Sequence, residues 1–211
     1  MHPLSATKTT PSTSAMLMPT AVLMNEHRNI EKALAGLERM AESFEETGKM
    51  NGAHASEAIE FLRTYADRLH HGKEEANLFP AMEARGLPSD VGPTAVMREE
   101  HRVGRAFIQD MADGVAENDT IAFVSAARGY VELLREHILK EDQIVFPMAD
   151  RLLPPEEHET LRVIFEKGER KDVGVEKVAA LLASVDRLCS TYGVTEVPRA
   201  EGGSCGACCG H

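Results

Sequence analysis

From Pro19 onward the chain carries apolar residues at helical spacing. Leu23, Ile30, Leu34 and Leu37 fall on one face, with His27 among them. This predicts a first helix that opens at Pro19-Thr20, where proline is tolerated in the first turn, and runs to about Thr47. Gly48 and the Asn51-Gly52 pair mark a turn. A second helix starts near Ala53 with Ile59, Leu62, Ala66, Leu69 and His70 on its inner side. Pro80 falls late in it, and the lost backbone hydrogen bond predicts a kink or an end there. Gly86, Pro88, Ser89, Gly92 and Pro93 predict a loop.

A third helix starts near Pro93, with Val96, Met97, His101, Gly104, Ile108 and Met111 at helical intervals. Gly114 and the polar Glu117-Asn118-Asp119 stretch end it, and Asp119 suits the N-cap of a fourth helix. In that helix Ile121, Val124, Tyr130, Leu134, His137, Glu141, Ile144 and Met148 trace an inward side, and Pro147 repeats the feature at Pro80. Leu152 to Pro155 break the pattern. Two more helices are predicted, about 155–168 and 173–191, the latter with Val178, Leu181, Leu182, Val185 and Leu188. No segment alternates polar and apolar residues long enough for a strand. The fold class is therefore all-α. Short connections predict an antiparallel four-helix bundle over residues 19–152, and a helical extension over 153–195 packs outside it. Residues 1–18, rich in Ser, Thr and Pro, predict a disordered tail, and residues 196–211 a Gly- and Cys-rich tail.

Composition narrows the function. Apolar residues make up 43% of the 211, enough for a packed core. The formal net charge of −11 argues against nucleic acid and against an anionic membrane surface. No apolar run approaches the ~20 residues of a membrane span, and no secretory signal is evident. The four cysteines, Cys189, Cys205, Cys208 and Cys209, all come late, so no disulfide framework staples the main body. The expectation is a cytoplasmic protein.

The chemistry lies in a segment that occurs twice. His70-His71-Gly72-Lys73-Glu74-Glu75-Ala76-Asn77-Leu78-Phe79-Pro80 aligns without a gap on His137-Ile138-Leu139-Lys140-Glu141-Asp142-Gln143-Ile144-Val145-Phe146-Pro147. Each copy has a His followed four residues later by a Glu, one turn apart on the same helix face. Glu26-His27-Arg28 precedes the first copy and Glu100-His101-Arg102 the second. Two helical hairpins related by a rough two-fold would thus offer two His and one Glu each to a shared interior. A glutamate in an apolar stripe needs a cationic partner. In one alternative, Glu74 and Glu141 point to solvent and pair with Lys73 and Lys140. That leaves unexplained why four helices each bring a His and why the pairs repeat. Imidazole with carboxylate and no thiolate suits iron, manganese or zinc, and carboxylates shared by two ions favour iron or manganese. The remaining His2, His54, His158 and His211 have no role in this set. Met24, Met97, Tyr65 and Tyr130 are candidate pocket lining, with core packing as the plainer alternative.

These residues resemble the hemerythrin-like HHE cation-binding proteins. The resemblance rests on Glu26-His27, His70-His71-x-x-Glu74-Glu75 with Phe79-Pro80, Glu100-His101, and His137-x-x-x-Glu141-Asp142 with Phe146-Pro147. It covers about residues 20–150, and the later segment to about residue 193 is similar to the extra helices of longer members. It implies a centre of two iron ions, oxo- or hydroxo-bridged, with a position open to O2, peroxide or nitric oxide. Carried over, His27, His70, His101 and His137 would be terminal ligands and Glu74 and Glu141 the bridges. Glu75 and Asp142 are rival carboxylates, because His71 to Glu75 and His137 to Asp142 also fit the spacings of the oxygen carriers. Those carriers have a further His where this chain has Arg105. His71 is the candidate replacement; without it one ion has an additional open position.

The sequence thus predicts a di-iron protein that binds or senses oxygen species or handles iron. A di-iron enzyme acting on peroxide or nitric oxide, a metal-storage protein and a zinc-holding structural bundle are the alternatives. Cys205-x-x-Cys208-Cys209-x-His211 adds a motif suited to soft-metal binding or disulfide exchange.

Overall fold

The computed structural model describes residues 18–198, all helix and connection, with no strand among them. The expectations for residues 1–17 and for Cys205, Cys208, Cys209 and His211 lie outside the described residues. Helix α1 is Pro19–Thr47. Helix α2 runs over 52–84, and α3 is Pro93–Glu117. Helix α4 runs over 120–152, followed by α5 (Pro155–Asp172) and α6 (Val175–Thr191). Helix α5 runs four residues beyond its predicted end.

Local chemistry sets these boundaries. Helix α1 stops at Gly48, whose φ of 64° lies in the left-handed region where glycine carries no steric cost. Asn51 starts α2 by accepting from the His54 amide at 3.2 Å. Asp119 caps α4, accepting from the amides of Ile121 and Ala122 at 3.0 and 2.9 Å. Asn118 turns the α3–α4 corner with φ 53°, a conformation Asn tolerates better than most residues.

Of the two outcomes predicted for the prolines, a kink or an end, neither proline ends its helix: α2 continues to Ala84 and α4 to Leu152. The turn before each proline widens to π geometry, over Glu74–Leu78 and Glu141–Val145. The Phe79 amide donates to the Glu74 carbonyl and the Phe146 amide to the Glu141 carbonyl, five residues back. A widened turn makes room for a ring that would otherwise press on the carbonyl four residues back. A third π stretch, Leu62–His71, lies just upstream in α2.

Helix α3 packs along α4, α1 along α4, and α2 against both α1 and α3. Helix α6 lies on α1 and α2, and α5 lies across α1 and the middle of α2. Two apolar clusters result. The larger is built around Leu34, Phe44, Phe61, Tyr65, Phe123 and Tyr130, and α6 adds Leu181, Val185 and Leu188. The smaller joins Leu23, Phe79, Met82, Met97 and Phe146 to Leu161 and Phe165 of α5. Tyr65, Tyr130 and Met97 therefore belong to core clusters, and Met24 packs on the smaller one. Three positions predicted to face inward do not: Val96, Ile121 and Ile144 are solvent-exposed. At Ile144 the cause is the π turn, whose extra residue per turn carries Ile144 off the Glu141 face while Val145 stays buried.

The internal repeat also reaches further back than Glu-His-Arg. Pro19-Thr20-Ala21-Val22 opens α1 and Pro93-Thr94-Ala95-Val96 opens α3. Both threonines are buried, and Thr20 donates to Asp150 at 2.7 Å.

A paired histidine and carboxylate centre

Seven titratable side chains meet inside α1–α4: His27, His70, His71, Glu74, His101, His137 and Glu141. Each is at most 3% exposed. Two groups of four have ligand atoms within 4.8 Å of one another. One comprises His27, His70, Glu74 and Glu141, and the other His71, Glu74, His101 and His137. Glu74 belongs to both. Its two oxygens lie 3.5 Å from His70 Nε2 and 3.5 Å from His101 Nε2. Glu141 Oε2 lies 3.1 Å from His27 Nε2 and 3.2 Å from His137 Nε2. Each glutamate thus touches an imidazole of either repeat.

Glu75 and Asp142 do not enter the centre. They stand behind it, on the far ring nitrogens of the histidines. His101 Nδ1 donates to Glu75 at 2.7 Å and His27 Nδ1 to Asp142 at 2.6 Å. His70 Nδ1 donates to Glu26 at 3.0 Å and His137 Nδ1 to Glu100 at 2.9 Å. Four imidazoles are therefore fixed from outside by carboxylates, with every Nε2 aimed at the interior. Lys73 binds Glu26 and Lys140 binds Glu100, so the two lysines serve the outer carboxylates and leave Glu74 and Glu141 alone. Arg28 binds Asp142, and Arg105 donates to Glu75 at 2.7 Å. Phe146 stacks on His27 (ring centroids 5.4 Å apart) and Phe79 on His101 (6.0 Å). The repeat is thus a structural two-fold: partners Glu26–His70 and Glu100–His137 lie within a copy, and Glu75–His101 and Asp142–His27 lie between copies.

The glutamate and lysine partners were present in the motif, but their roles are tertiary. Nothing in the local sequence says that Glu26 serves the His on another helix. Asp67, which accepts from Arg105 at 2.8 Å, carries no signal of its own, and Arg105 stands out in the sequence only as the residue in place of the carriers' further His.

The centre fits cations. Among the described residues, both oxygens of Glu74 and of Glu141 are buried without a hydrogen bond, as are Nε2 of His27 and His70 and both nitrogens of His71. The short Glu141 approaches lack hydrogen-bonding geometry. A buried polar atom left without a hydrogen bond costs of order 1–3 kcal/mol. His101 and His137 face each other Nε2 to Nε2 at 3.1 Å. With each Nδ1 proton given to a carboxylate, two lone pairs point at one another unless a proton or cation lies between.

Electrostatics pull the groups apart. Burial, then the charge of Glu141, raises the Glu74 carboxyl well above the usual range. Burial would raise Glu141 too, but His137 and His27 beside it outweigh that and hold it well below. Burial would lower His137, yet Glu141 and Glu100 push it up to about 9. Burial drives His71 down to about 4, and lowers His101 further with the help of His71 and His137.

The remaining described histidines stand apart. His54 Nδ1 meets the Tyr192 hydroxyl at 2.8 Å, tying α2 to the turn after α6. His158 lies in α5. Cys189 is buried in α6, its thiol donating to the Lys32 carbonyl at 3.3 Å.

Fold and site together define a helical protein with a buried His/carboxylate centre suited to metal cations. The chain belongs to the hemerythrin HHE cation-binding domain family, whose model matches residues 18–149. It is similar to the uncharacterized proteins Mb2018 of Mycobacterium bovis and Rv1995 of Mycobacterium tuberculosis. Each is 22% identical over 199 residues, covering 89% of this chain and 76% of the relative. No solved structure gives a significant match. No described helix is long and apolar enough to cross a membrane.

Proposed function

We propose that this chain is a non-haem di-iron protein whose centre binds or senses small oxygen species: O2, peroxide or nitric oxide. The observation that carries this reading is the convergence of four carboxylate-clamped imidazoles on two buried glutamates whose oxygens have no hydrogen bond among the described residues. His27, His70, Glu74 and Glu141 would hold one ion, and His101 and His137 would hold the other, with Glu74 shared. We place the centre in an antiparallel four-helix bundle formed by α1–α4 (residues 19–152), with the extension over 153–195 packed outside. Iron is favoured because imidazole and carboxylate suit it and no thiolate enters the set. When bound, a pair of iron ions supplies redox chemistry toward oxygen species.

The protein's own groups do the rest. Glu26, Asp142, Glu75 and Glu100 fix the tautomer and direction of each ring, a role worth roughly 10–100-fold in metal affinity in comparable sites. Glu74 and Glu141 compensate the ionic charge. Phe79 and Phe146, fully buried beside the rings, keep bulk water from that side.

The test is the absorption spectrum of the iron-loaded protein, reduced and then exposed separately to O2, peroxide and nitric oxide. Near-ultraviolet bands that bleach on reduction and return with one of these species are expected. A colourless protein holding zinc, silent toward all three, would leave a structural bundle.

A further inference from the structure

The two halves of the repeat differ in what covers them from outside. In the first half Lys73 of α2 binds Glu26 of α1, and α5 lies across these two helices. The Phe165 ring of α5 is centred 5.9 Å from the Lys73 ammonium, and the Lys73 side chain is only 6% exposed. In the second half the same pair recurs, with Lys140 of α4 bound to Glu100 of α3. The extension packs on α1 and α2 instead, and Lys140 is left 34% exposed.

That uncovered face is apolar. Val96 lies one turn before Glu100 on α3, and Ile144 one turn after Lys140 on α4. The two helices run in opposite directions, since Gly114 lies against Phe123 and Glu100 against Lys140. Val96 and Ile144 therefore share one end of the groove between them. They are 47% and 52% exposed, and Val91, just before α3 at the same end, is 61% exposed. The counterpart of Ile144 in the first half is Asn77, which lines the cleft beneath α5 with Lys73 and Phe165. The covered copy thus carries an amide and the exposed copy a branched alkyl group, the reverse of what solvent alone would favour. One exposed apolar residue is ordinary, but a group of them marks a contact surface.

We propose that this face is a homodimer interface, in which a second copy of the chain covers Val96 and Ile144 as α5 covers the first half of the repeat. Charge favours a second copy as the occupant. With a formal net charge of −11, two copies repel one another over most of their surface. On this face the charged neighbours are matched within the chain, Glu100 with Lys140 and Glu99 with Arg102 at 2.6 Å. The groove is the place where two such acidic chains meet at low electrostatic cost. A two-fold axis through it sets the Val96 and Ile144 of each copy against those of the other, which is the self-complementary contact of a closed dimer.

The test is sedimentation equilibrium of the full chain, with reductant present to keep its cysteines as thiols. Wild type is expected to be a dimer at about 100 µM and to dissociate on dilution, with a Kd in the micromolar range. Ile144→Asn, which installs the residue of the other half, and Val96→Glu, which sets a charge in the contact, should each raise Kd by about tenfold or more. Far-ultraviolet circular dichroism checks that each variant is folded, and either one carries the test if the other is not. A wild-type monomer at every concentration would overturn the proposal and leave the face to another protein or to solvent. A dimer that neither variant weakens would overturn it as well, because the contact would then lie elsewhere.

Discussion

The two nitrogens of each clamped imidazole have different tasks. Nδ1 gives its proton to a carboxylate, and Nε2 faces the centre. This separates Glu74 and Glu141, whose oxygens share the interior, from Glu75 and Asp142, which stand behind the rings. The difference predicts unequal substitutions. Glu74→Ala should reduce bound metal to one ion or fewer per chain after gel filtration. Glu75→Ala should keep both sites and weaken the one that His101 serves by roughly 10–100-fold. Equal metal content in the two variants would contradict the assignment. Protonation gives a second prediction. His137, raised to about 9, and Glu74, also raised, both stabilise the fold in their protonated forms. In the metal-free protein the His137 contribution is full below its unfolded value of about 6.5 and is lost as pH rises through about 9. Glu74 acts in the same sense, and Glu141, held low, loses its contribution only on acidification. Metal must displace the protons of Glu74 and His137, so its affinity rises with pH. The Tm gap between metal-loaded and metal-free protein should therefore widen from about pH 6 to about pH 9. A constant gap would mean these groups do not bind the ions.

Helix ends were readable because their signals are local: Pro19 and Pro93 at starts, Gly48 and Asn118 at stops, Asp119 as a cap. The π turns were not. Glu74–Leu78 and Glu141–Val145 read as ordinary helix, because the extra residue per turn leaves no mark on a five-residue stretch. The proline that follows each turn is the available signal, but on its own it predicts a kink or an end and does not specify a π turn. That is why Ile144, in phase with Glu141 on a regular helix, faces solvent. Close approach between elements was equally hidden. A Cβ on Gly114 would lie 2.9 Å from the Phe123 amide nitrogen and 3.2 Å from its Cα, both backbone. Gly114→Ala should therefore force α3 and α4 apart. The strain outweighs the ~1 kcal/mol gain in helix propensity, and we expect a net loss of roughly 1–2 kcal/mol in urea unfolding. A neutral or stabilising result would show that the corner relaxes freely.

Across the whole molecule, the duplicated sequence becomes a duplicated site. Glu26, His27, His70, Glu74 and Glu75 of one copy face Glu100, His101, His137, Glu141 and Asp142 of the other. The inward residues were legible because a histidine recurring with a glutamate one turn away has few other uses in an apolar stripe. The outer shell was not, since Glu26–His70 and Asp142–His27 join residues 44 and 115 apart in sequence. Asp67 and Arg105 gain meaning only from what they touch. The centre lies among α1–α4, while the extension adds Leu161 and Phe165 to the smaller apolar cluster and Leu181, Val185 and Leu188 to the larger. Two metal ions are expected in this interior, between the repeats. The most direct measurement is elemental analysis of the purified chain against its protein concentration. Two irons per chain are predicted, falling to one or fewer in Glu74→Ala. A wild-type protein that takes up one ion or none when offered excess ferrous iron without oxygen would rule out a dinuclear centre.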